Sequence, residues 1–225
     1  MNILLVLVVA LHQGGEVSSF IVRSCRNQNL ETSFWNSFIT SGRFQPTQTG
    51  SRHVRRLKEQ LQELSTAVEF YKNEYSEQTF DKSYRQMDQE LPTLSYEDIV
   101  PSSSLMVNDR ELSYADVLLD AYDIFQRLEM ALELIQHGSA DFPLTSFGAR
   151  NMWSLFRREI QKILQNLLTE MMYRDVSAPV PLTRGVISEN VRCMDHSIYQ
   201  DIRNFIIFRS IKQSAHFYLR IFRKK

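Results

Sequence analysis

The residues able to do covalent or metal chemistry are few in this chain, and their spacing builds no reaction. Histidines stand at His12, His53, His137, His196 and His216, and no HExxH pair places two of them on one helical face around a metal ion. No GxSxG presents a serine nucleophile, and no GxxxxGK cradles a phosphate. Cys25 and Cys193 stand far apart, without the spacing of metal ligands. Carboxylate pairs such as Glu129 and Glu133 recur at helical spacing and read as solvated charges on a helix exterior. The expectation is a protein with no catalytic residues, no cofactor and no metal. The chemistry left is recognition, by arginines and lysines set among aromatic residues. It is densest in the last stretch, IRNFIIFRSIKQSAHFYLRIFRKK, where Arg203, Arg209 and Lys212 sit among Phe205, Phe208, Tyr218 and Phe222.

That stretch has no Pro or Gly and reads as a helix, yet its apolar residues do not keep to one face. Ile202, Phe205 and Ile206 form one patch, and Phe208, Ile211, Ala215, Tyr218 and Phe222 another. A helix that is apolar most of the way round is packed on several sides, sits in a membrane, or divides its surface between a core and a partner.

The elements that position it are helical. The 225 residues include only 7 Gly and 6 Pro, and few breakers favour long helices over many short strands. Segment A, about Ser51 to Tyr75, repeats Val54, Leu57, Leu61, Leu64, Val68, Tyr71 and Tyr75 in steps of three and four, with Arg55, Glu59 and Glu63 on the other faces. Segment B, about Ser113 to His137, has Ser113 as its cap, Asp116 at the third helical position, and Leu112 with Val117 as a staple. Its stripe runs Tyr114, Val117, Ala121, Ile124, Leu128, Ala131 and Ile135. Segment C, about Ser146 to Arg174, carries Met152, Phe156, Ile160, Ile163, Leu167 and Met171; segment D runs from about Asp195 to Phe222. Helices of this size are about 36–43 Å long, and four of them with core stripes predict an all-α bundle.

The connections predict its topology. Ser76 to Leu112 joins A to B, Gly138 to Thr145 joins B to C, and Asp175 to Met194 joins C to D. Crossing back along a helix of ~40 Å takes at least about 12 extended residues. The two long connections meet that requirement, and the short one makes B and C an antiparallel hairpin. The long–short–long order predicts an up-up-down-down four-helix bundle with two long crossover loops.

The N-terminus predicts export. Ile3 to Leu11 is an apolar run too short to span a bilayer, followed by Val17 and Ser19 at the positions of a signal-peptidase site. The organisation expected is a signal peptide at 1–19, an N-terminal arm at 20–50 and the bundle at 51–225. The mature protein is then secreted and extracellular. In an oxidising compartment Cys25 and Cys193 form a bridge of about 4–5 kcal/mol, with separate thiols or an intermolecular bond as alternatives. Basic and acidic residues number 26 each, which argues against nucleic acid as a partner, and no later run is long enough for membrane insertion. RHVRR, Arg52 to Arg56, reads as the charged opening of segment A rather than as a processing site, and the RKK terminus as charges solvating a helix end.

With these features in hand, the chain resembles a long-chain helical cytokine of the interleukin-6 family, nearest the ciliary neurotrophic factor, cardiotrophin-like cytokine and leukaemia inhibitory factor branch. LKEQLQELSTAVEFYKNEY is similar to that family's first helix, and FIIFRSIKQSAHFYLRIFRKK, preceded by Met194–Asp195, to its cardiotrophin-like ending. The resemblance implies a monomeric ligand that joins class I cytokine receptor ectodomains and triggers JAK/STAT signalling. It implies three surfaces: the end of the first crossover with the C-terminal half of segment D, the exposed faces of A and C, and the start of D. Arg209 matches the family's receptor-binding Arg, although the family's Asp four residues later is Gln213 here. The Phe-x-x-Lys motif of the third surface is absent, and Tyr199 and Arg203 are the comparable aromatic and cation. Lys212, Arg55, Glu59 and Glu63 complete the expected receptor-binding set. An invertebrate Unpaired-like ligand has the same implied architecture. The alternative from a different class is a secreted helical carrier of lipid or another hydrophobic ligand, which calls for broad apolar faces rather than the narrow seam of segment A.

Overall fold

A computed structural model of the chain describes residues 50–91, 113–137, 147–192 and 197–224. These are helical, with no strand among the described residues: α1 (Gly50–Phe80), α2 (Tyr84–Glu90), α3 (Tyr114–His137), α4 (Phe147–Tyr173), a 3-10 turn (Arg184–Val186), α5 (Glu189–Arg192) and α6 (Ser197–Lys224). The expected signal peptide, arm and Cys25–Cys193 bridge lie outside the described residues. None of the described helices is long and apolar enough to cross a membrane.

The helix ends follow from local chemistry. Ser113 and Asp116 form the expected reciprocal cap of α3: the Asp116 N–H donates to Ser113 Oγ at 3.1 Å, and the Ser113 N–H to Asp116 Oδ2 at 3.1 Å. Ser83 and Gln86 cap α2 in the same way. The two positive-φ residues among those described, Asp81 (54°) and Asp175 (55°), end α1 and α4. After α4 the Val176 N–H donates to the Met171 carbonyl at 2.9 Å and the Asp175 N–H to that of Met172 at 3.3 Å. That is a Schellman closure, with Val176 folded against the core and an Asp in the place usually held by Gly. Helix α1 runs five residues past the expected end at Tyr75. Nothing breaks it before Asp81, and its last turns bury Ser76 and pack Phe80 edge-on to Phe205, with ring centroids 5.8 Å apart.

Helix α1 packs on α4 and α6, and α3 packs on the same two. At each of the four contacts rising residue numbers on one helix meet falling numbers on the other. Asn166 donates to Gln60, Phe156 meets Tyr71 and Trp153 meets Tyr75, so α4 runs against α1. Arg223 donates to Gln62, Lys212 pairs with Glu69, and Phe208 stacks on Tyr75, so α6 runs against α1 as well. Helix α3 meets α4 through Glu129 with Arg157 and Tyr114 with Arg174, and meets α6 through Phe125 with Tyr218 and Tyr114 with Phe222.

The core is one cluster, and its centre is aromatic. Trp153 is fully buried and stands edge-on to Tyr75, Phe156 and Phe208, with centroids 5.4–6.2 Å apart. These edge-to-face pairs add about 0.5–1.5 kcal/mol each beyond the area they bury. Leu57, Leu61, Leu64 and Val68 of the α1 seam are fully buried, as the three-and-four spacing predicts. The first connection contributes Tyr84, Met87 and Leu91, and the second Ile187 and Val191. The described parts of both connections therefore contribute to the core.

Candidate functional site

Helix α6 has the most unusual surroundings. Its two apolar patches are both buried, and so are Ser210, Ser214, Phe217 and Ile221 on the remaining sides. The exposed aromatics expected among its cations are absent: Phe205, Phe208, Phe217, Tyr218 and Phe222 all lie inside. The physical reason is that α6 packs on more than its two neighbouring helices. Described residues of the two connections also pack on it, and each of these pieces is fastened by an arginine from α6 itself.

Arg209 makes the first tie. It is 5% exposed, and its Nη1 donates to the Leu91 carbonyl at 2.5 Å and approaches Asp88 Oδ1 at 3.4 Å. Next to it Tyr84 of α2 leans on Phe205 and Phe208, and Lys212 Nζ lies 4.4 Å from the centre of the Tyr84 ring. Burial is the main force raising the Tyr84 hydroxyl pKa, with the Asp88 charge adding to it. Arg203 makes the second tie. It is 4% exposed, donating to the Val191 carbonyl at 3.3 Å and to Asn204 Oδ1 at 3.0 Å. Arg203 and Arg209, expected as exposed receptor contacts, are instead buried. In each case a charged guanidinium head, itself buried, donates to a backbone carbonyl of a connection.

The other expected residues divide. Lys212 is partly buried and pairs with Glu69 at 3.3 Å. Burial pushes the Glu69 carboxyl up, but the hydrogen bond from Lys72 and the charge of Lys212 outweigh it and leave the group below its ordinary range. Tyr199 is half-buried in the first turn of α6. Arg55, Glu59 and Glu63 are exposed on α1, with Arg55 Nε 3.4 Å from Glu59. They belong to the outer face of α1, whereas Arg203, Arg209 and Lys212 lie on α6.

One residue on that outer face was missed. Phe70 is 72% exposed, with Glu63, Thr66, Asn73, Glu74 and Glu77 also exposed on the α1 surface around it. Its signal was present in EFYKNEY: Phe70 falls between the stripe positions Val68 and Tyr71, where a buried role is unavailable.

Glu129 and Glu133 are a correction in the opposite direction. They are buried rather than solvated: Glu129 is fully buried and takes hydrogen bonds from Arg157 Nη2 at 3.0 Å and Gln161 Nε2 at 3.2 Å. Arg157 also lies 3.6 Å from Glu133. These positions flank the α3 stripe and face α4 instead of water. Burial raises the Glu129 pKa, with Arg157 opposing the shift and Glu133 adding to it. Between α3 and α6, Tyr218 donates its hydroxyl hydrogen to Asp120 Oδ2. Burial raises the pKa of both partners.

No group of His, Cys, Asp and Glu among the described residues has the geometry to hold a metal ion. No family model matches the chain, and neither the curated proteins nor the solved structures contain a match to it.

Proposed function

We propose that this protein is a secreted, receptor-clustering ligand: an up-up-down-down four-helix bundle of the long-chain cytokine type that brings class I cytokine receptor chains together and so starts JAK/STAT signalling. The observation that carries this reading is the direction of the helices. Both α4 and α6 run against both α1 and α3, which supports α1 parallel to α3 and α4 parallel to α6, the arrangement that two long crossovers allow. The likeness of the first and last helices to the interleukin-6 family supports the same class.

In this proposal the bundle does no chemistry; it holds side chains at fixed positions for receptor domains. The outer face of α1 is one contact surface, with Phe70 as its aromatic anchor and Arg55, Glu59 and Glu63 around it. Lys212 lies beside Tyr84 of the first connection, and Tyr199 is half-buried in the first turn of α6. Arg203 and Arg209 act behind the surface, by fixing the connections that shape it.

Capture of receptor ectodomains by the purified protein tests the reading. Binding to a signal-transducing chain of the interleukin-6 receptor type is the expected result, and Phe70→Asp should weaken it at least tenfold while leaving stability within about 0.5 kcal/mol, since the side chain is exposed. Capture of no such ectodomain, or lipid co-purifying at one per chain, replaces the ligand proposal with the carrier.

A further inference from the structure

An open groove of about 490 Å³ runs along the seam between α1 and the C-terminal half of α6. Gln62 borders it from α1, and His216, Arg220, Arg223 and Lys224 from α6, over a floor that includes the buried Leu219. No carboxylate of the described residues lines it. In a chain with equal numbers of acidic and basic residues, such segregation of charge is a local feature rather than a reflection of composition.

Two of the cations are held in place. Arg223 Nη2 donates to Gln62 Oε1 at 2.6 Å, and the Arg220 guanidinium lies 5.7 Å from the centre of the Phe217 ring. A guanidinium already oriented loses less freedom on binding than a freely moving lysine. The basic side chains also form a row. Arg220 and Arg223, three residues apart, lie on one edge of α6, with the imidazole of His216 four residues before Arg220 and 3.8 Å from Glu69. On α1, Lys58 stands four residues before Gln62 and continues along its face, while Arg55, seven before, is paired with Glu59. Glu69, seven residues beyond Gln62 in the other direction, is held by Lys72 and Lys212 and adds little free negative charge.

We propose that this groove binds a linear sulfated polysaccharide, with Arg220 and Arg223 as the principal sulfate contacts. A row of forked donors matches anionic groups repeated along a chain better than one isolated phosphate. A membrane surface fits poorly, because the apolar residue at the groove is buried beneath the cations and offers no wedge to insert. A nucleic acid fits poorly because the charge is confined to one seam of a neutral protein. The choice of a polysaccharide among polyanions rests on the proposed extracellular role.

The test is binding of the full-length protein to immobilised heparin at about physiological ionic strength, beside fully desulfated heparin, phosphatidylserine vesicles and a DNA duplex. The expected result is saturable binding to heparin alone. Arg220→Glu with Arg223→Glu should weaken it about tenfold or more and flatten its salt dependence, while Arg85→Glu with Arg158→Glu, at exposed positions elsewhere, leaves it unchanged. Circular dichroism establishes that both variants are folded. The proposal is overturned by absence of heparin binding, by equal binding to the desulfated chain, by stronger binding to vesicles or DNA, or by equal loss in the two variants. Receptor capture measured on the same groove variant separates the two proposals: loss of heparin binding with capture intact leaves the ligand reading standing, and heparin binding without any receptor capture leaves only the groove.

Discussion

Arg209 discriminates most sharply between a tie inside the fold and a contact on its surface, and replacing it with Met isolates the difference. Methionine keeps an unbranched apolar stem in the buried position, so the loss is mainly polar. What disappears is the charge-assisted hydrogen bond to the Leu91 carbonyl and the ion pair with Asp88. A hydrogen bond from a charged donor contributes about 1.5–3 kcal/mol. The Asp88 pair contributes less than about 1 kcal/mol, because the carboxylate is half exposed. The expected cost is therefore about 2–3 kcal/mol, which for a domain of this size lowers Tm by about 4–12 °C. Urea denaturation of wild type, Arg209→Met and Asp88→Asn measures it, and Asp88→Asn should account for the smaller share. A change in Arg209→Met of under about 0.5 kcal/mol refutes the tie. If receptor capture then falls while stability does not, the guanidinium is a direct contact, as the likeness to the cytokine family implied.

Three further outcomes follow from buried polar groups and the core. Glu129 has a raised folded pKa, so the native state holds its proton more tightly than the unfolded chain, and stability contributed by that proton is lost as pH rises from about 4.5 through the folded value; Glu129→Gln should flatten this part of a stability–pH profile, and an unchanged slope contradicts the assignment. Tyr218→Phe removes a hydrogen bond that holds the Asp120 pKa down, so a carboxyl titration followed by NMR should move Asp120 further up, with about 1–2 kcal/mol lost from stability. Trp153→Ala, which empties a fully buried site shared by α1, α4 and α6, should cost about 3–5 kcal/mol in chemical denaturation.

The helices were legible because their signals are local. The spacing of Leu57, Leu61, Leu64 and Val68, the Ser113–Asp116 cap, and the scarcity of Gly and Pro each act within a few turns of one chain segment. The two arginines of α6 were not legible. Nothing near Arg209 in sequence distinguishes a solvated cation from a buried one, because its partner is the Leu91 carbonyl, 118 residues away. Glu129 is the same case: helical spacing places it beside the α3 stripe, but only the approach of Arg157 and Gln161 from α4 decides that it is buried.

By itself, then, the sequence determined the four long helical segments, where α3 is capped, and which edges of α1, α3 and α4 carry the core stripe, since periodicity and capping are short-range effects. Tertiary structure alone decided which charged groups are surface and which are fastenings. Arg209, Arg203 and Glu129 are buried because segments distant in sequence bring the acceptors or donors that replace their water: Leu91, Val191, and Arg157 with Gln161.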